Sequence, residues 1–265
     1  MTRAEHHMNQ SLTKGRTWRG RLTGRPTFRW GRVSLLALLV FAFGELSSVR
    51  AIAVEDGVAL AIVYDTSGSM RDPVPNRDGG SSPKFVIANR ALKAVADQIE
   101  KSATNSSAGS PRKIATGLFI FQGEHARAAI PMAPFDGNAL RDWASRFSTP
   151  AGNTPLGAAL GVAGHAVLES PLARKHILII TDGMNTAGPP PAKVLPRLKD
   201  QAAQQGSNIS VHFVAFDVDA KVFDSVKRQG ATVVAAADEQ QLNSQLQFIL
   251  QRKILLEEEE PSQKK

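Results

Sequence analysis

The stretch YDTSGSM at Tyr64–Met70 sets a carboxylate and two hydroxyls, Asp65, Ser67 and Ser69, at alternate positions directly after an apolar run, VALAIV at Val58–Val63. Side chains at i, i+2 and i+4 of an extended segment point the same way. Gly68, between the serines, lets the backbone turn tightly. Such a group suits a turn, a nucleophile, a phosphate cradle or a metal site. Two later segments bear on the choice. Thr154 stands in GNTPL, ahead of a small-residue helical pattern, and Asp182 stands in TDG, just past the apolar run at His176–Thr181. Alone, Thr154 reads as a helix N-cap followed by Pro at the first helical position, and Asp182 as an Asp-Gly turn. Together they bring three hydroxyls and two carboxylates onto three loops. That is an all-oxygen donor set, and it suits a hard divalent cation such as Mg²⁺, which takes octahedral oxygen geometry and keeps several waters.

Enzyme patterns fit less well. A phosphatase of the D-x-D kind needs a second acid where Ser67 stands, so its general acid is missing. Thr66-Ser67-Gly68 lacks the first Gly of a G-x-S-x-G nucleophile elbow. No G-x-x-x-x-G-K-[ST] phosphate loop occurs. Of the histidines, His165 lies among Gly and Ala on a helix and reads as packed, His176 and His212 fall in strands, and His125 sits in a loop that could reach the rim of the site. The chain therefore reads as a binding protein with no catalytic residues rather than a hydrolase.

The elements that must position these residues alternate between strand and helix. Apolar runs of strand length occur at Val58–Tyr64, Ile114–Phe121, His176–Thr181, Ile209–Phe216 and Ala231–Ala236. Their near-continuous Ile, Val, Leu and Phe content reads as strands buried on both faces. Helical patterns lie between them at Lys84–Lys101, Leu156–Glu169, Ala192–Gln205 and Ala220–Gln229, with a last helix over Asp238–Leu250 and a short one at Asn138–Phe147. Ala126–Met132 contains Pro131 and reads as a short antiparallel strand at a sheet edge, where Pro is tolerated. The alternation predicts an α/β fold: a doubly wound, mostly parallel open sheet with helices on both faces and ligand sites at the carboxyl ends of strands. Arg71–Pro83, with three Pro and two Gly, reads as a mobile loop beside the site.

Charge separates the leading segment from the rest. The chain has 265 residues and net charge +8, of which residues 1–53 supply +7, with nine Lys or Arg against two acids. The remainder is near neutral, which gives no sign of a nucleic-acid face. Within the leading segment, Val33–Phe43 (VSLLALLVFAF) has only Ser34 as a polar residue, a length suited to a signal-peptide core and too short for a span. Ala51-Ile52-Ala53 fits a small-x-small cleavage pattern, so residues 1–53 are expected to be a signal peptide or an N-terminal membrane anchor. Residues 54–252 would then form the domain, periplasmic or secreted, with no Cys and hence no disulfide. Residues 253–265, which include EEEEPSQKK, are expected to be a charged, disordered tail.

Taken with their order and spacing, D-x-S-x-S at Asp65, Ser67 and Ser69, the Thr of GNTPL at Thr154 and the Asp of TDG at Asp182 resemble the complete metal-ion-dependent adhesion site of the von Willebrand factor type A domain. The resemblance runs over roughly Asp56–Leu250, and the stretch from Val211 to Leu246 resembles the last third of bacterial, exported members. It implies that Ser67, Ser69 and Thr154 coordinate Mg²⁺, Mn²⁺ or Ca²⁺ through their hydroxyls. Asp65 and Asp182 would bind directly or through water. One coordination position would be left for an Asp or Glu of a partner protein. Two carboxylates formally neutralise a dication and three hydroxyls add no charge, so the ion stays receptive to one more anion. A second role that the family implies is that of ion-binding partner subunit of an AAA+ ATPase of the chelatase kind.

Overall fold

A computed structural model describes residues 54–104 and 112–255. The leading segment, with its apolar core and cleavage pattern, and the acidic end from residue 256 onward lie outside these. In chain order the described elements are β1 (Glu55–Tyr64), β2 (Pro73–Pro75), β3 (Ser81–Pro83), α1 (Lys84–Thr104), β4 (Ile114–Gln122), β5 (His125–Pro134) and α2 (Gly137–Arg146). They continue with α3 (Leu156–Leu168), β6 (Leu172–Thr181), α4 (Pro191–Gln204), β7 (Ile209–Phe216), α5 (Asp224–Arg228), β8 (Thr232–Ala236) and α6 (Glu239–Ile249).

Six strands form one sheet in the order β5-β4-β1-β6-β7-β8. All neighbours in it are parallel except β4 and β5, which pair antiparallel and place Pro131 on the edge. The first strand, flanked on either side by later ones parallel to it, is central, and its alternation divides the interior. Val58, Leu60, Ile62 and Tyr64 face one core with α1, α2 and α6, while Ala59, Ala61 and Val63 face the other with α3 and α4. Both faces of the sheet are covered by apolar side chains, which accounts for the near-continuous apolar runs that mark these strands. The fold is thus the doubly wound sheet expected from the alternation.

Local departures have identifiable causes. Arg71–Pro83 is not a featureless loop. Residues Pro73–Pro75 pair antiparallel with Ser81–Pro83, and the turn between them is closed by the Asn76 carboxamide, whose oxygen accepts from the amides of Asp78 and Gly80 at 3.1 and 3.0 Å. Its tip is tied to α6 by Arg77 N, which donates to Glu239 Oε2 at 3.1 Å. The helix expected over Ala220–Gln229 begins instead with a 3₁₀ turn at Ala220–Phe223. At the end of the domain, Lys253–Leu255, expected in the tail, continue α6 as a wider turn over Leu250–Leu255 with Ile254 and Leu255 buried, because apolar side chains there still find the α1 face. No helix among the described residues is long and apolar enough to cross a membrane.

Candidate metal centre

Strand register brings the first and third loops together. Tyr64 pairs with Ile180 in the parallel β1–β6 ladder, so the next residues, Asp65 and Thr181, leave the sheet side by side. Asp65 N donates to Ile180 O at 3.0 Å. The Asp65 carboxylate is fully buried and held at both oxygens: Oδ1 accepts from Ser67 N at 2.8 Å and Oδ2 from Thr181 Oγ1 at 2.6 Å. Its pKa is nevertheless pushed up to about 6, first by burial and then by the charge of Asp182, with the hydrogen bonds from Ser67 and Thr181 opposing the rise.

The strand end itself is anchored from the other face. Tyr64 packs edge-on against Trp143 and Phe147, and its hydroxyl donates to Asn89 Oδ1 at 2.8 Å. Burial and the neighbouring Asp65 carboxylate hold that phenol well above its ordinary pKa, so it stays a donor. Beyond Asp65 the chain turns into a 3₁₀ segment at Gly68–Arg71. Ser67 Oγ and Ser69 Oγ are 3.1 Å apart, and Ser69 Oγ donates to Asp182 Oδ1 at 2.9 Å. Four of the five expected residues, Asp65, Ser67, Ser69 and Asp182, are therefore linked by short polar contacts or by the charge of one on another.

Thr154 joins the group through its loop rather than through its hydroxyl. Gly68 N donates to Gly152 O at 3.1 Å and Ala151 N to Thr66 O at 2.8 Å, which strap the second loop to the first. Thr154 is buried, and its Oγ1 lies 3.8 Å from where a Cβ on Gly183 would stand. It is not the helix cap: Pro155 holds the capping position of α3 without a side-chain bond, and the Gly157 amide is satisfied by Asn185 Oδ1 at 3.0 Å. Asn185 comes from the loop after Asp182, so the second and third loops are stitched together as well.

Three residues that the motif reading passed over belong to the site. Thr181 is the partner of Asp65, and its place directly before Asp182 is the one signal the chain offers. Lys84 opens α1, and its Nζ lies 3.1 Å from Asp182 Oδ2, 3.0 Å from Asp217 Oδ2 and 3.9 Å from Asp72 Oδ2. Asp217, just past β7, adopts a left-handed φ of 54°. As a buried lysine and a strained aspartate far apart in sequence, the last two carry no motif. Of the histidines, His165 is exposed rather than packed. His176 and His212 stack in the sheet interior with ring centroids 5.6 Å apart.

The donor chemistry is oxygen only, with two carboxylates and hydroxyls, which matches a hard divalent cation and not a soft one. Among the described residues no group of three or more His, Cys, Asp or Glu forms an alternative centre.

Comparison with solved structures supports the same fold. The PilB minor pilin of Streptococcus sanguinis superposes with a TM-score of 0.56 at 16% identity, over 74% of this chain and 60% of that one. The chain thus spans less than two thirds of that relative. The vWF domain of the type V pili tip protein Mfa5 from Porphyromonas gingivalis gives 0.56 at 12% identity, over 75% of this chain and 95% of that one. The SpRpn10 VWA domain gives 0.50 at 14% identity, over 70% and 92%. No curated protein sequence matches significantly. The family profile of the von Willebrand factor type A domain matches residues 59–250, from the first strand through the last helix, and the chain belongs to that family.

Proposed function

We propose that the protein is a metal-dependent protein-binding module. In this reading Asp65, Ser67, Ser69, Thr154 and Asp182 form a complete metal-ion-dependent adhesion site. They hold Mg²⁺, or Mn²⁺ or Ca²⁺ in its place, and the cation takes up an Asp or Glu carboxylate of a partner protein. The observation that carries it is the chain of oxygens from Ser67 through Ser69 to Asp182, which joins two loops 113 residues apart. The buried hydroxyls of Ser67 and Thr154, near two carboxylates, have no packing role that apolar residues would not serve better. The ion supplies a Lewis-acidic contact for the incoming carboxylate. Asp65 and Asp182 balance its charge, and the straps from Gly152 and Asn185 keep the donors in place. Residues 1–53 direct export, and the domain that follows works outside the cytoplasm as an adhesion or scaffold module without catalysis.

The test is calorimetric titration with Mg²⁺ and Mn²⁺, paired with capture from the native cell envelope with and without EDTA. Asp182→Ala and the double change Ser67→Ala, Ser69→Ala should lose metal binding and EDTA-sensitive capture while far-UV circular dichroism stays unchanged. Capture that is equal in EDTA and in Mg²⁺ would sink the reading.

A further inference from the structure

Lys84 stands out within the loops around the candidate centre. Its side chain is buried, at 6% exposure, and its amine is fixed from two sides by Asp182 and Asp217. The backbone is fixed too, with Lys84 N donating to Asp72 O at 3.0 Å. Asp217 bears a cost for its part, since the left-handed region at φ of 54° is disfavoured for a residue other than glycine. It is held there by its own amide, which donates to Ala236 O at 2.7 Å, and by the contact of its carboxylate with Lys84. A backbone strained so as to aim a carboxylate at a lysine is an independent sign that the lysine's position matters.

We propose that Lys84 is a specificity-determining residue of this site, a tethered cation that neutralises Asp182 at Oδ2 while Oδ1 faces Ser69, so that the site holds a divalent cation loosely and keeps it receptive to an anionic partner group. The proposal rests on the metal-binding reading above. Asp65 and Asp182 offer two negative charges, and Lys84, in contact with Asp182, cancels one of them for any bound cation. Asp217 is 42% exposed at its side chain, so water screens its charge more than that of buried Asp182. The Asp182 carboxylate is also prevented from turning both oxygens toward a metal, because Oδ2 is engaged by the amine. A fixed unit charge in contact with a ligand carboxylate, at the screening typical near a protein surface, changes divalent-cation affinity by about tenfold or more. The same charge favours an incoming carboxylate.

The experiment uses the full chain and Mn²⁺ as probe, followed by electron paramagnetic resonance and calorimetry, with acetate added as a carboxylate probe and read by water-proton relaxation of the bound Mn²⁺. Lys84→Met should bind Mn²⁺ about tenfold or more tighter than the parent and respond less to acetate, while Lys84→Arg should stay close to the parent. Asp217→Asn leaves Lys84 to Asp182 and the more distant, exposed Asp72, and should weaken Mn²⁺ binding severalfold. It also provides the test should Lys84→Met fail to fold by circular dichroism. Parent-like Mn²⁺ affinity in Lys84→Met or in Asp217→Asn overturns the role of Lys84 and leaves the metal reading standing. Folded parent and Lys84→Met proteins that both fail to bind Mn²⁺ overturn the metal reading itself.

Discussion

Thr181 Oγ1 donates to Asp65 Oδ2 at 2.6 Å, a charge-assisted hydrogen bond between two fully buried side chains on neighbouring strands. It gives the site's deepest carboxylate a fixed orientation before any ligand arrives.

Removing that donor should therefore be costly. Thr181→Val keeps shape and burial but leaves Asp65 Oδ2 without its hydroxyl, and should lower stability by about 1–3 kcal/mol in urea unfolding at pH 7. Thr181→Ser restores the donor and should recover most of the loss. Equal effects of the two variants would show that packing rather than the hydrogen bond matters.

Metal affinity should depend on pH through Asp65. Its folded pKa is raised from 3.8 to about 6, so its ionised form weakens the fold above about pH 6, and that penalty lifts as pH falls toward 3.8. A cation needs the ionised form. Mn²⁺ affinity should then hold between pH 7 and 8 and fall by about tenfold per unit below pH 6, as read by calorimetry at fixed ionic strength. A flat profile from pH 5 to 7.5 would exclude Asp65 as a ligand.

The two interior histidines act in the opposite direction. Burial first, then the charges of neighbouring groups, lower His176 from 6.5 to about 3 and His212 from 6.5 to about 4. Both are neutral in the fold, so stability is lost as pH drops below 6.5, where the unfolded chain takes up protons that the folded chain refuses. His212→Leu should remove about 2–3 kcal/mol of this acid sensitivity by pH 4, measured as the difference in unfolding free energy between pH 7 and pH 4. The same pH dependence in parent and variant would show that His212 is not part of it.

Gly157 holds the second and third loops in contact. A Cβ there would stand 1.9 Å from Pro189 O, which is backbone and cannot step aside. Gly157→Ala should push the loop after Asp182 off the start of α3, cost about 1–3 kcal/mol in thermal unfolding and weaken metal binding in parallel. Gly161→Ala, whose Cβ would find ordinary contact at 3.7 Å from Val194 Cγ1, serves as the control.

Much of the fold was legible because a sheet covered on both faces leaves a simple mark. Ile209–Phe216 is an apolar run interrupted only at Ser210 and His212, and the strand spans those same residues. Pro131 confined its run to an edge, and β5 is the edge strand. The hairpin at Pro73–Pro75 was less legible, because two three-residue strands carry no period and are held by one Asn carboxamide and a distant Glu239. His165 was misread because small neighbours on a helix say nothing of which side faces out.

By itself the sequence determined which residues carry oxygen donors and that two of their three loops leave strand ends, since local residue type and the period of burial are properties of short segments. The tertiary structure alone decided the parallel register that sets Asp65 beside Thr181, the straps that draw the Thr154 loop inward, and the meeting of Lys84, Asp182 and Asp217 at about 3 Å. Those contacts join residues about 30 to 130 positions apart, and such pairs are chosen by how whole strands and helices pack rather than by any local preference.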